Sequence, residues 1–279
     1  MKSYWMKILN YAVLSICLML FYTLWTDPIK GLIIGLILFF LILNTHQLNY
    51  FKSLSQFRPR YLWYLLPVLL EWLVALPIQF NVWGSAYWDA IANASSKTLL
   101  RAFSIQLLLI IREEVATSFC WLMLAFLVMR LLKVEALNKP NLQLALLVMA
   151  IFFAIGHFPN AVYLTKQPAL NKTVSILGAI FVFVNAFILG MFLKTIYIRT
   201  RSIQTCVAVH FLCNLRRAFF PIIAGRQGDL LTIELIGYEA LILVIYIVAI
   251  IVLWRKQWHL ERLDEVYTAL DAEPFELYA

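Results

Sequence analysis

Three short stretches of this chain place ionisable or amide side chains inside otherwise apolar sequence: Arg112-Glu113-Glu114, His157, and His210 with Asn214. Adjacent carboxylates in a medium of low dielectric constant repel, so one must hold a proton or a cation must lie beside the pair. Neighbours on a helix project about 100° apart, so the two glutamates cannot reach one atom together. They divide the work, one acting and the other supporting it. His210 and Asn214 are four apart and share a helix face, and Arg217 extends that stripe. A His and an Asn pointing together could donate to an oxyanion, hold a metal, or join two helices by hydrogen bonds. His157 follows Phe153 by four positions and precedes Pro159 by two. Each feature alone also reads as packing: a buried ion pair, a hydrogen-bonded histidine, an interhelical amide. Their conjunction favours chemistry, because a charge at the centre of a spanning helix costs about 2.5–3.5 kcal/mol. Of the four histidines, His46 and His259 fall outside the apolar runs and only His157 and His210 fall within them.

The elements that must position these groups follow from composition. The chain has 279 residues, 63% of them apolar, and a mean hydropathy of +0.83. A soluble domain is about 45–50% apolar, so the excess faces lipid. Only helices and closed barrels satisfy their backbone groups in a bilayer. The apolar runs, such as Gly31–Leu43 and Leu241–Leu253, are continuous rather than alternating, which selects helices over barrel strands. The expected fold is an all-α polytopic membrane protein with about eight transmembrane helices, near 8–26, 29–45, 61–80, 100–132, 141–158, 173–197, 203–223 and 231–254. They form a single transmembrane domain over 1–254, with a core about 100–223, followed by a charged, mostly soluble tail over 255–279. The first run, Ile8–Trp25, reads as a retained span rather than a signal peptide. His46–Arg60 reads as an interfacial segment and Asn81–Lys97 as a loop with aromatic anchors.

The net charge is +8. The basic residues sit mostly between the apolar runs, where they act as topology determinants and headgroup contacts; no aromatic-studded basic face suggests nucleic acid. Eight spans put both termini on one side, and that side carries the larger share of Lys and Arg, with Lys194 counted in it, so both termini are expected in the cytoplasm. Cys17, Cys120, Cys206 and Cys213 all lie within apolar runs, which argues against a disulfide framework.

With the spans in place, the sequence resembles the CAAX protease and bacteriocin-processing family of intramembrane proteases, also called the abortive-infection family. Its Glu-Glu-x-x-x-Arg motif is met by Glu113-Glu114-Val115-Ala116-Thr117-Ser118, its Phe-x-x-x-His motif by Phe153 to His157, and its His-x-x-x-Asn motif by His210 to Asn214. The three occur in order on the fourth, fifth and seventh expected spans, covering roughly 100–220. The resemblance implies hydrolysis of a peptide bond at the membrane face. Glu113 with His157 would activate a water, His210 and Asn214 would stabilise the oxyanion, and Glu114 would support. Members have been described both as metalloproteases and as glutamate-dependent enzymes; a zinc ion, if bound, would take Glu113, His157 and His210. The implied substrate is a membrane-associated peptide or protein, a CAAX-like tail or a bacteriocin precursor, and the implied location is a bacterial cell membrane.

One position departs from the motif. Ser118 stands where the family has Arg, one turn after Glu114, and a hydroxyl supplies no charge. Glu114 therefore needs a proton or another cation. Arg217 is the expected replacement and Arg112 the fallback. The departure also keeps a second reading open: a non-catalytic membrane immunity or scaffold protein of the same family. A transporter is disfavoured by the absence of an internal repeat and of paired broken helices.

Overall fold

The computed structural model describes residues 2–24, 28–42, 56–134, 137–166, 172–216 and 233–255, together with Leu263 and Tyr267. Ten α-helices carry the described chain: α1 (Lys2–Leu24), α2 (Pro28–Ile42), α3 (Leu66–Ala92), α4 (Ser96–Glu114), α5 (Trp121–Leu131), α6 (Lys139–Gly156), α7 (Phe158–Thr165), α8 (Lys172–Thr200), α9 (Ile203–Asn214) and α10 (Ile233–Arg255). A 3₁₀ turn, Pro59–Leu65, leads into α3, and a π-helical turn, Val115–Cys120, joins α4 to α5 without a break. The all-helical expectation holds.

Polar side chains mark where several helices begin. Ser95, Asn138 and Ser202 accept the backbone N–H of Thr98, Asn141 and Thr205 at 3.1, 2.9 and 3.1 Å, and so cap α4, α6 and α9. Among the described residues, four helical stretches are long and apolar enough to cross a bilayer: Ser96–Leu131, Lys139–Tyr163, Lys172–Thr200 and Ile236–Arg255. Trp5–Leu18 and Ile203–Asn214 are shorter apolar helices. The described residues thus support a polytopic membrane protein without supplying eight full crossings. The expected seventh span, 203–223, passes out of the described residues after Arg216. The expected loop at Asn81–Lys97 is corrected. Helix α3 continues to Ala92, interrupted at Gly84 with φ 70 and ψ 174, a backbone conformation that glycine adopts at no steric cost.

Helix α8 is the hub. It packs against α6, α7, α9 and α10, while α1 packs on α2, on α5 and on the π turn. The crossing of α6 and α8 is close because Gly190 presents no side chain to Phe153. A Cβ there would lie 3.0 Å from Phe153 Cδ1 and 3.3 Å from its Cβ and Cγ. Small residues commonly permit such approaches between helices in membranes. Helix α8 reverses into α9 within two residues. Arg201 takes a left-handed φ of 52, its N–H donates to the Tyr197 carbonyl at 2.6 Å, and Ser202 then caps α9.

A buried ion cluster ties α9 to α3 and α10. Arg216 Nε donates to Glu71 Oε1 at 2.9 Å and its Nη2 to Glu239 Oε2 at 2.9 Å. Tyr246 Oη donates to the other Glu71 oxygen and sits 3.2 Å from Cys213 Sγ. Glu71 is fully buried in this cluster. The charged tail is not free of the bundle at its two described residues. Leu263 and Tyr267 are buried, Tyr267 donates to the Val134 carbonyl, and the Arg130 guanidinium lies 3.8 Å over its ring.

Gly190→Ala should lower the thermal midpoint of the detergent-purified protein, with a stability loss of about 1–3 kcal/mol from overpacking against Phe153. Gly237→Ala, whose added Cβ meets nothing within 4 Å, should leave the midpoint within error. Thermal unfolding monitored by tryptophan fluorescence reads both.

Candidate active site

The site is assembled from α4 and its π turn, the end of α6, the middle of α8, and α9. Glu113 and Glu114 close α4 immediately before the backbone widens into the π turn, a distortion that recurs at functional sites. The widening begins where Thr117 Oγ1 donates back to the Glu113 carbonyl at 2.7 Å. The two carboxylates diverge, as neighbours on a helix must, and meet opposite nitrogens of one ring. Glu114 Oε1 is 2.9 Å from His210 Nδ1, and Glu113 Oε2 is 3.8 Å from His210 Nε2. Glu114 and His210 are buried, while the Glu113 side chain keeps 21% exposure and is the open member of the pair.

The cation that Glu114 requires is Lys194. Its ammonium donates to Glu114 Oε2 at 3.1 Å, to Thr117 Oγ1 at 2.6 Å and to Ser118 Oγ at 2.8 Å. An ammonium has three protons and no acceptor, so these three partners satisfy it fully. Ser118 passes the interaction on, donating its own proton to Glu114 Oε2 at 2.7 Å. The face of Phe153 covers the remaining side, with its centroid 5.0 Å from Nζ. Arg217, the partner expected from sequence, lies outside the described residues. Arg112, the fallback, pairs instead with Glu113 Oε1 at 3.2 Å.

His157 ends α6 at the bend into α7. Its Nδ1 lies 2.9 Å from the Phe153 carbonyl, which can only accept, so Nδ1 carries a proton and Nε2 is the other nitrogen left for the site. The Phe153 ring packs against His157 at 4.7 Å and against His210 at 5.9 Å between centroids. His157 therefore joins the glutamate–histidine group through that ring. Asn214 stands one turn beyond His210 on α9 and is half-buried. Trp72 Nε1 donates to the Leu212 carbonyl between them at 3.1 Å, fixing this part of α9 against α3.

The sequence reading missed Lys194. It was counted among the basic residues flanking the spans, yet it is fully buried within one. The signal was present, since Lys194 falls inside the expected span 173–197 and Ser118 leaves a charge to be replaced. Thr117 and Glu239 were missed as well, and neither carries a motif. A zinc site would need three protein donors and an open position. Among the described residues, no group of three or more His, Cys, Asp or Glu is placed to hold a metal ion. Glu114 engages Nδ1 of His210 and the Phe153 carbonyl engages Nδ1 of His157, so Nε2 is the nitrogen through which either ring would ligate a metal beside Glu113.

A family model described as "Type II CAAX prenyl endopeptidase Rce1-like" matches residues 61–216, more than half of the chain, a range that holds Glu113, Glu114, His157, Lys194, His210 and Asn214. The chain belongs to this family, which is a family of proteases; it is an integral membrane protein of the CAAX-type intramembrane peptidase class. No curated protein and no solved structure matches it.

Lys194→Met should cost about 3–5 kcal/mol, because it leaves the Glu114 carboxylate buried without its cation. Adding Ser118→Arg to that variant returns a positive charge from the position where the family motif carries one. The double variant should recover at least half of the lost stability in thermal unfolding, and no recovery would mean that Lys194 acts through packing alone.

Proposed function

We propose that this protein is an intramembrane endopeptidase in which Glu113 and His157 activate a water and His210 with Asn214 holds the oxyanion. The observation that carries the reading is the double engagement of His210: a buried carboxylate on Nδ1 and a half-open carboxylate facing Nε2. Glu114 accepts a hydrogen bond from His210 Nδ1–H and so sets the ring orientation and tautomer. Lys194 and Ser118 hold Glu114 ionised for that task. Glu113, the accessible carboxylate, takes the proton from water as hydroxide equivalent adds to the scissile carbonyl. His157 orients that water or shares its proton through Nε2. The carbonyl oxygen becomes an alkoxide, which the Asn214 amide and His210 stabilise, the ring sharing through Nε2 the proton that the facing Glu113 has taken from water. Collapse of the tetrahedral intermediate expels the amine, and the proton held by Glu113 passes to it.

The substrate in this reading is a membrane-associated peptide or a CAAX-like protein tail, and a part in bacteriocin processing or self-immunity uses the same chemistry. Both termini lie in the cytoplasm of a bacterial cell. The non-catalytic alternative drew its support from Ser118, and Lys194 supplies the charge that the serine does not.

In vesicles carrying a fluorogenic CAAX-like peptide, Glu113→Gln and His157→Ala should each lower cleavage by about 10²-fold or more. Both variants should express and unfold like the wild type, because neither side chain belongs to the buried lysine group. Cleavage at wild-type rate in both would end the enzyme reading.

A further inference from the structure

A carboxylate that takes a proton from water has two equivalent oxygens, and nothing in Glu113 itself decides which one faces the water. The residue before it does. Arg112 is buried, at 5% exposure, while the Glu113 side chain keeps 21%. Neighbours on a helix do not ordinarily face each other, so contact between them uses the length of both side chains. Arg112 Nη2 donates to Glu113 Oε1 at 3.2 Å. The pair is therefore oriented, with the cation on the protein side and the carboxylate on the open side. Oε1 is occupied, and Oε2 is the oxygen turned toward His210 Nε2, 3.8 Å away.

Lys194 cannot perform this task, because its three protons already go to Glu114, Thr117 and Ser118. The two adjacent carboxylates thus have a cation each, Lys194 for Glu114 and Arg112 for Glu113. A guanidinium suits the second place, since its charge is permanent and its donors lie in a fixed plane. The Glu113 backbone is tied separately, its carbonyl accepting from Thr117 Oγ1 at 2.7 Å, so the hold of Arg112 is on the side chain. We infer, on the reading of Glu113 as the base, that Arg112 is a positioning residue: its guanidinium occupies Oε1 and so leaves Oε2 as the oxygen that takes the proton from water. It touches neither water nor substrate and acts through the carboxylate.

The test measures cleavage of a fluorogenic CAAX-like peptide by the full-length protein in vesicles. Arg112→Gln should lower kcat at least about tenfold with KM within about twofold, because a misplaced reacting group costs rate and not binding. Arg112→Lys keeps a cation without the planar fork, and its kcat should fall between those of the wild type and Arg112→Gln. In a Glu113→Gln background, adding Arg112→Gln should cost less than about twofold, since no carboxylate remains to be held. Arg101→Gln removes an exposed cation about three turns earlier on α4 and should change neither constant. An equal fold-loss with and without the Glu113 carboxylate would overturn the inference, for Arg112 would then only support the bundle. So would a loss carried in KM. Should Arg112→Gln fail to fold, Arg112→Lys makes the same comparison in both backgrounds. Wild-type cleavage by Glu113→Gln would remove the base itself and this inference with it. Wild-type kcat in Arg112→Gln beside an impaired Glu113→Gln would overturn this inference alone.

Discussion

The structure turns on one ammonium group. Lys194 is buried in the bundle, where an uncompensated charge costs several kcal/mol. It is tolerable because each of its protons has an acceptor and because one acceptor, Glu114, is itself charged. The arrangement runs outward in a chain: Lys194 holds Glu114, Glu114 holds His210, and His210 faces Glu113. Each link is a hydrogen bond or ion pair in a medium of low dielectric constant, where polar networks are strong when complete and costly when broken. Three helices meet in those links. The same group therefore sets both the packing of α4, α8 and α9 and the orientation of the one histidine that touches both carboxylates.

A second charged knot works on the far end of α9. Arg216 sits between Glu71 and Glu239, drawing α3 and α10 onto the residues that follow Asn214. Helix α9 is thus held at two levels, by Lys194 through His210 and by the acidic pair through Arg216. Between them the Phe153 ring is pressed against Gly190 on one side and shared by both histidines on the other. Apolar packing alone would leave a short apolar helix free to rotate or slide, since lipid tails attract its side chains as well as a neighbouring helix does. Directional charge pairs remove that freedom.

Much of this was legible in the sequence. Continuous apolar runs dictate helices, and the rarity of polar groups at membrane depth picks out Glu113, Glu114, His157, His210 and Asn214. Those residues are written into spaced motifs, so their order and helices could be read. What could not be read was pairing across helices. Lys194 lies near enough to a span end to pass for a flanking lysine, and only the crossing angle of α8 brings it to Glu114. Glu239 has no motif, and Arg216 has meaning only where both carboxylates converge on it. Helix α3 outran its expected end because the aromatic and small polar residues after Asn81 also suit an interfacial helix, with the break concentrated at Gly84.

The π turn at Val115–Cys120 has a consequence for how this chain tolerates change in length. Such a turn is a single residue lodged in an otherwise regular helix. A wide turn advances less per residue than an α turn, so its extra residue is absorbed and the helix resumes beyond it in the phase it would have had without that residue. Trp121 thereby reaches Ser15, to which it donates at 2.9 Å, and the Phe152 ring, 5.4 Å away between centroids, while the glutamates before the turn keep their own facing. Removing one residue lets the turn close into regular helix with both flanks in place, but it shifts Thr117 and Ser118, whose hydroxyls accept from Lys194. The segment is therefore held to its length by those two hydroxyls and not by the helices on either side.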